Sequence, residues 1–138
     1  MRKFQFARFA VLFSLFVLTS LLLTGCGPSK AKHEQLIRQR HKDFITALVQ
    51  DNYAATVDVV APDSRKNEGA TKLVYGAIRL GIVFGQHRAD DFRVDSVMMD
   101  DKCIQATVNT STLTKGAWKP DAKPGNWVRE GEQWYLQF

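Results

Sequence analysis

The chain has 138 residues and a mass of 15.6 kDa, which is the size of one compact domain. Hydrophobic residues make up 45% and charged residues 24%, so the composition is that of a folded globular chain rather than a disordered one. The net charge of +5 includes Arg2, Lys3 and Arg8; subtracting these three leaves +2 for the rest of the chain, which excludes the clustered cations of a nucleic-acid-binding surface.

The chain begins with a leader of two parts. Residues 1–8 carry three cations and no anion, and residues 9–23 carry no charge at all. These are the n-region and the h-region of a secretory signal. A permanent transmembrane anchor is the alternative, but it needs about 20 apolar residues, more than residues 9–23 supply. The sequence therefore predicts a cleavable signal peptide of residues 1–25.

A four-residue motif ends this leader, namely Leu23, Thr24, Gly25 and Cys26. It resembles the lipobox of bacterial lipoproteins, in which a leucine and two small residues precede a cysteine. The resemblance implies that the lipoprotein signal peptidase recognises the first three residues and cleaves before Cys26. It also implies a diacylglyceryl thioether on Cys26 and, in many bacteria, a further acyl chain such as palmitate on the new amino group. Two or three chains anchor a protein stably to a membrane.

The residues after the cleavage point bear on placement in the cell envelope. Residues 26–32 are small and polar, which predicts a flexible tether. Gly27 stands where lipoproteins retained in the inner membrane of enteric-type Gram-negative bacteria often have aspartate. The resemblance therefore implies the outer membrane, facing the periplasm, in a Gram-negative host, and the outer face of the cell membrane in a Gram-positive one.

The chain has two cysteines, and this parity suggests a disulfide. A Cys26 whose sulfur carries lipid has no thiol to offer, however. We therefore expect Cys103 to be a lone buried residue, as unpaired cysteines usually are.

Helical patterns fill the first half of the mature chain. Residues 33–50 have apolar side chains at helical spacing among charged ones, which predicts one amphipathic helix. Asp51 and Asn52 can cap a second, short helix from Tyr53 to about Val60, which ends before Pro62.

A third helix is predicted for residues 68–84. Gly76, Gly81 and Gly85 oppose it, because a glycine in a helix interior costs up to about 1 kcal/mol. Close packing of this helix on a sheet would account for these glycines.

From Phe92 the apolar pattern changes from helical to alternating. Phe92, Val94, Ser96 and Met98 are predicted to share one face of a strand, and Asp95, Val97 and Met99 the other. A turn at residues 100–102 leads to a second strand in which Ile104, Ala106 and Val108 alternate with polar residues. We expect an antiparallel hairpin, with the methionines packed against a helix.

The C-terminal residues predict a second hairpin. Residues 115–125, with two prolines and two glycines, read as a loop with a brief strand at Trp118. Aromatic strands then flank residues 130–132, where Gly131 supplies the positive φ of a turn. Trp134, Leu136 and Phe138 are expected to share a face and to form the central core.

Helices followed by antiparallel strands predict an α+β domain of residues 33–138, with the helices on one face of a curved sheet. Residues 44–48 (FITAL), 51–55 (DNYAA), Pro62 and 127–136 (WVREGEQWYL) resemble the nuclear transport factor 2-like superfamily. Those folds are cones in which a strongly bent sheet cups a long helix. The resemblance implies the fold and leaves the function open.

Some cone-shaped relatives are isomerases, dehydratases or cyclases that use an Asp–His or Tyr–Asp arrangement, which directs attention to His33, His41, His87, Asp58 and Tyr53. The first histidine lies beside the tether, the second among cations and the third in a turn. No two of these residues are brought together by the sequence pattern, so we predict no catalytic residue.

Neither a metal nor a cofactor is predicted. The chain lacks the clustered cysteines and histidines of a zinc site, and the acidic doublets at residues 90–91 and 100–101 lack the spacing of a calcium loop and read as solvated turns. Trp118 and Trp127, if exposed, are a candidate binding surface, because tryptophan is enriched in binding hot spots. Alternatively, they plug one open end of the cone.

The sequence favours a non-enzymatic, membrane-anchored lipoprotein of the bacterial envelope whose domain binds another protein, a peptide or a small apolar ligand. The alternative is a lipid-tethered isomerase- or dehydratase-like enzyme with its pocket in the cone. A third hypothesis is an accessory subunit of a larger envelope machine. An ionisable pair within hydrogen-bonding reach on the concave face would favour the enzyme, and a dry cavity would favour binding.

Overall fold

The computed structural model describes residues 29–138, so the predicted leader and Cys26 lie outside the described residues. Helices come first in this range and strands follow, which confirms an α+β fold with helices packed against an antiparallel sheet. The helices are α1 (Lys30–Val49), α2 (Tyr53–Val59), α3 (Pro62–Arg65) and α4 (Glu68–Gly85). A single 3-10 turn, Ala89–Asp91, leads to β1 (Phe92–Met99), β2 (Gln105–Thr114), β3 (Ala117–Pro120), β4 (Gly125–Glu130) and β5 (Gln133–Gln137).

Helix α1 begins earlier than predicted, at Lys30 instead of His33. Lysine and alanine are good helix formers, so the first turn continues back through residues that the sequence pattern assigned to the tether. The buried side chains of the helix, which include Ile37, Phe44 and Leu48, repeat at helical spacing and face the sheet. Burying each such side chain contributes about 1.5–3 kcal/mol.

The later helices begin at side-chain caps. The carboxamide oxygen of Asn52 accepts a hydrogen bond from the Ala55 amide at 3.1 Å, as expected for the second helix. Asn67 caps α4 in the same way, through the Ala70 amide at 3.0 Å.

The packing role predicted for the glycines of α4 is wrong at two positions. A Cβ built at Gly76 or Gly81 meets no atom within 4 Å, so neither glycine permits a close approach to the sheet. At Gly85 a Cβ would overlap the imidazole of His87, so there the absence of a side chain leaves room for that ring.

The sheet has the order β1-β2-β4-β5, with all these neighbours antiparallel. The long strand β2 pairs with β1 along one edge. Along its other edge it pairs first with β4, through residues 105–108, and then with β3, through residues 111–114. Residues 121–124 therefore cross from one partner of β2 to the next. This position places them at the edge of a cavity between the helices and the sheet.

The alternation predicted for β1 is wrong after Val94. A β-bulge lies between Val94 and Ser96, so one extra residue reverses the order of the two faces. Val97 and Met99 consequently pack against the core together with Val94, whereas Met98 is 58% exposed. The prediction that Met98 packs against a helix is wrong for the same reason.

The core lies between α1 and the sheet, and its largest fully buried side chains are Trp127 and Trp134. Gly131 adopts a φ of 61° in the turn between β4 and β5, as predicted. Trp134 is central, as expected, and Leu136 packs against the core. Phe138 is not a core residue, because it lies beyond the end of β5 and is 54% exposed.

Candidate functional site

A cavity of about 570 Å³ lies between the helices and the sheet. Helices α1 and α4 supply one wall, and β2, β4, β5 and the segment that crosses between β3 and β4 supply the other. Its apolar lining includes Phe44, Ile78, Val108, Trp127, Leu136 and Phe138. The volume is within the range of about 300–1,000 Å³ typical of small-molecule pockets.

Four polar residues also line the cavity, namely His41, Thr110, Asp121 and Lys123. Asp121 and Lys123 are exposed, so the polar side of the cavity faces solvent. The lining is thus apolar on the inside with a small polar group at the opening, an arrangement suited to a ligand with one hydrogen-bonding end.

Asp121 is held in place by strand β2. Its carboxylate accepts hydrogen bonds from the hydroxyl groups of Thr110, at 2.6 Å, and Thr112, at 2.9 Å. Its amide donates to the Thr110 carbonyl oxygen at 2.9 Å. Every bond fixes the crossing segment against the sheet, so the position of this carboxylate follows from the local pairing of β2.

His41 is the only histidine that lines the cavity, and it is half-buried. Within the described part of the chain its imidazole makes no hydrogen bond, to Asp121 or to any other residue. Burial lowers the pKa of His41 from 6.5 to about 4, although the nearby Asp121 carboxylate acts in the opposite direction. At neutral pH the cavity therefore presents an uncharged imidazole with both of its nitrogens available.

His33 lies on the same helix but has a structural role. It is 6% exposed, and its Nδ1 accepts a hydrogen bond of 3.2 Å from Nε1 of Trp134. The two rings meet edge to face, with their centroids 5.8 Å apart. Burial, followed by the charge of Arg129, lowers the pKa of His33.

The other candidates for catalysis lie away from the cavity. His87 packs edge to face on Phe92, and its Nδ1 is 3.9 Å from a carboxylate oxygen of Asp91. Asp58 is exposed and forms an ion pair of 3.3 Å with Arg40. Tyr53 packs edge to face on Tyr75, with centroids 5.0 Å apart. None of the three lines the cavity.

The two tryptophans named as a candidate binding surface have different environments. Trp118 is 37% exposed, and the guanidinium carbon of Arg93 lies 4.3 Å from the centre of its ring. Trp127 does not form an exposed binding surface, because it is 2% exposed and its ring lines the cavity. Trp127 therefore contributes to an internal site.

One residue of each acidic doublet, at residues 90–91 and 100–101, accepts a hydrogen bond from a backbone amide. A carboxylate oxygen of Asp91 accepts from the Arg88 amide at 2.7 Å, and one of Asp100 accepts from the Ile104 amide at 2.7 Å. No group of three or more His, Cys, Asp or Glu side chains in residues 29–138 is placed to hold a metal ion. No helix in the same range has the length and hydropathy required to cross a membrane.

Cys103 is 1% exposed and disulfide-bonded, so the expectation of a lone cysteine there is wrong. The chain has one other cysteine, Cys26, which lies outside the described residues. Nε of Arg129 donates to the Cys103 carbonyl oxygen at 2.6 Å, and the same side chain acts on His33 near the start of α1. Cys103 thus lies towards the end of the domain at which α1 begins.

Asp121 and Lys123 were not among the candidates that the sequence suggested. They lie in a segment rich in glycine and proline, and nothing in its pattern shows that it meets His41, which is about eighty positions away along the chain. No family model matches this chain, and no curated protein or solved structure matches it either.

Proposed function

We propose that this chain is a lipoprotein of the bacterial cell envelope, anchored to a membrane through Cys26, whose domain binds a small and largely apolar ligand without catalysing a reaction. The observation that carries the binding proposal is the cavity of about 570 Å³, apolar inside and polar where it meets solvent. The leader and its Leu23-Thr24-Gly25-Cys26 motif carry the anchoring proposal.

Two fates of the Cys26 sulfur exclude each other. A sulfur bonded to glyceryl lipid as a thioether cannot form a disulfide with Cys103, yet Cys103 is disulfide-bonded and Cys26 is the only other cysteine. We favour lipid in the mature protein, because the leader presents this thiol to the membrane before the domain folds around Cys103. The rival fate is a disulfide-linked domain released by an ordinary signal peptide.

The intact mass of the mature protein, isolated without a reducing agent, tests the anchoring. We expect a chain that begins at Cys26 and carries two or three acyl chains, and no acylation in a Cys26→Ala control. Globomycin should cause the lipidated precursor to accumulate. An unacylated chain lighter by two hydrogens would establish the disulfide and overturn the anchoring.

We also propose that the domain is a nuclear transport factor 2-like cone. The support is the long helix α1 packed on an antiparallel sheet whose first strand carries a bulge, since bulges bend and twist strands. A crystal structure of the mature domain tests it. A bent sheet that superposes on such cones would support this assignment, and a flat sheet would contradict it.

Binding is tested with 1-hexanol, a water-soluble probe that has an apolar chain and one hydroxyl group. We expect native mass spectrometry of the mature protein to show one bound molecule. Ile78→Trp should weaken binding several-fold, because the larger side chain occupies part of the cavity. The matched control is Ile104→Trp at an exposed position outside the cavity, which should retain binding. Binding that is as tight in Ile78→Trp as in Ile104→Trp would contradict the proposal.

One observation favours the lipid-tethered enzyme as a second candidate, namely that His41 and Asp121 line the same cavity. Two further facts weigh against it. No hydrogen bond joins the pair within residues 29–138, and a pKa of about 4 makes His41 a poor base at neutral pH. An isomerase or dehydratase activity that disappears in His41→Leu while hexanol binding remains would decide for the enzyme.

A further inference from the structure

Helix α4 carries an apolar stripe that no other element within residues 29–138 covers. Leu73 is 75% exposed, Leu80 56% and Phe84 82%. These residues, with Ala77, recur every three or four positions and so lie on one side of the helix, and Val83, 53% exposed, lies beside them. Isolated exposed apolar residues are ordinary, but a continuous stripe of this kind marks a surface that contacts something apolar.

The charges around the stripe favour an anionic partner. Residues 69–89 contain no acidic residue and three cations, Lys72, Arg79 and Arg88. Residues 62–88 hold five cations and two anions, a net charge of +3, whereas residues 9–138 as a whole have +2. Arg79 is not part of this surface, because its side chain is 23% exposed and pairs with Asp51 at 3.1 Å. The exposed cations near the stripe are therefore Lys72, which pairs with Glu68, and Arg88. An apolar face flanked by Lys and Arg is typical of helices that lie in the interface of an anionic membrane.

The position of α1 limits how far the domain can lie from an anchor at Cys26. Only three residues separate Cys26 from Lys30, where α1 begins, so an extended chain of this length spans at most about 14 Å. Helix α1, with its 20 residues, is itself about 30 Å long. A domain of this size on so short a connection stays against the bilayer and must present one of its sides to it.

Helix α4 runs back along α1 towards the anchored end. Near its middle, Nη1 of Arg79 donates to the Val49 carbonyl oxygen at the far end of α1. Beyond its end, Ala89 and Asp90 share a groove with Arg38 and His41, in the middle of α1. The half of α4 that carries Leu80 and Phe84 is therefore the half nearer to the start of α1.

We propose that α4 lies in the interfacial region of the membrane that holds the lipid anchor, with Leu73, Leu80 and Phe84 among the acyl chains and the flanking cations at anionic headgroups. This inference rests on the anchoring through Cys26 proposed above. The bilayer would then hold the domain in one orientation and cover the stripe.

Photocrosslinking of the lipidated mature protein tests this placement. p-Benzoylphenylalanine replaces Leu80 in one variant and Met98, which is exposed to a similar degree on β1, in the control. Both variants are reconstituted in vesicles of phosphatidylethanolamine and phosphatidylglycerol at three to one and irradiated. We expect phospholipid adducts at position 80 at no less than about five times the yield at position 98.

Four results would overturn the inference. Equal lipid yields at the two positions would show that α4 has no preferred contact with the bilayer. Chain-to-chain adducts at position 80 without lipid adducts would assign the stripe to a second copy of the protein. A sample that carries no acyl chains before irradiation would contradict both the anchoring and the placement of α4. An acylated sample without lipid adducts at position 80 would contradict the placement of α4 alone.

Discussion

Two histidines on α1, eight residues apart, mark two regions of the domain that differ in how their polar groups are satisfied. At His33, which we call the closed end, the imidazole accepts a hydrogen bond from Trp134, and both side chains are buried. At His41, the open end, the imidazole faces a cavity whose lining includes Trp127 and Asp121. Each region combines a histidine with a tryptophan. A hydrogen bond joins His33 to Trp134, whereas no hydrogen bond joins His41 to Trp127 within the described residues.

The difference shows how one helix combines a structural and a binding region. A buried polar group without a partner costs about 1–3 kcal/mol, so a fold normally pairs it as it pairs His33. His41 avoids much of this cost because it stays uncharged and partly exposed, and its nitrogens remain available to a ligand. The closed end should therefore govern stability, and the open end should govern binding.

The largest expected effect is at the closed end. Trp134→Ala removes one of the two largest fully buried side chains and leaves a cavity, so the free energy of unfolding should fall by about 3–5 kcal/mol. Trp118→Ala is the matched control, and it should cost no more than about 1 kcal/mol, because it loses an exposed cation–π contact with Arg93. Urea unfolding measures both changes. Equal losses in the two variants would contradict the division into two ends.

A second prediction compares the two histidines directly. His33→Leu leaves Nε1 of Trp134 buried without an acceptor, so it should cost about 1–3 kcal/mol at pH 7. His41→Leu removes no hydrogen bond within the described residues and should change stability at pH 7 by less than about 0.5 kcal/mol. Chemical denaturation of the two variants at pH 7 checks the difference, and a larger loss at His41 would reverse the assignment of the ends.

The third prediction concerns pH. The pKa of His41 is lower in the folded protein, about 4, than its ordinary value of 6.5, so the unfolded chain binds the proton more readily. The uncharged imidazole therefore contributes fully to the free energy of unfolding above pH 6.5. This contribution is lost as the pH falls towards 4, by about 1–3 kcal/mol for a half-buried group. His33 acts in the same direction.

We therefore expect His41→Leu to be more stable than the unsubstituted protein at pH 5, and the two to be nearly equal at pH 7. Urea unfolding at several pH values between 4 and 7.5 measures the two curves. Parallel curves over this range would contradict the environment assigned to His41.

The smallest expected effect is at the edge of the cavity. Asp121→Asn weakens the hydrogen bonds from Thr110 and Thr112 at an exposed site and should lower stability by less than about 1 kcal/mol. Its effect on hexanol binding should be larger, a several-fold loss, because the crossing segment also positions Lys123. Thr112→Val, which removes a single one of these bonds, is the milder control. Unchanged binding in Asp121→Asn would show that this segment is not part of the site.

The fold class could be predicted from the sequence because its signals are local. Asn52 was recognised as a cap from its type and position, and Gly131 as a turn residue from the aromatic strands on either side. The bulge at Asp95 could not be predicted, because one extra residue in a strand leaves no trace in the composition of its neighbours. As a consequence, the sequence pattern assigned Met98 and Met99 to the wrong faces of β1.

The open end could not be predicted for a different reason. His41 and Asp121 meet because β2 pairs with β4 and β3 in succession along one edge, which is a property of sheet register rather than of sequence spacing. Trp127 was a candidate for an exposed binding surface or for a plug at one end of the cone, but the strand order places its side chain between α1 and the sheet. Local patterns contain no information on such long-range pairing.

The most direct test of the account is a titration of the mature protein, carrying ¹³C-labelled histidine, with 1-hexanol at pH 7 and observation of the imidazole resonances by NMR. We expect the resonances of His41 to shift and to saturate at one equivalent of bound hexanol, while those of His33 stay in place. Equal shifts at both histidines, or no saturable shift at His41, would contradict the assignment of the open end as the binding site.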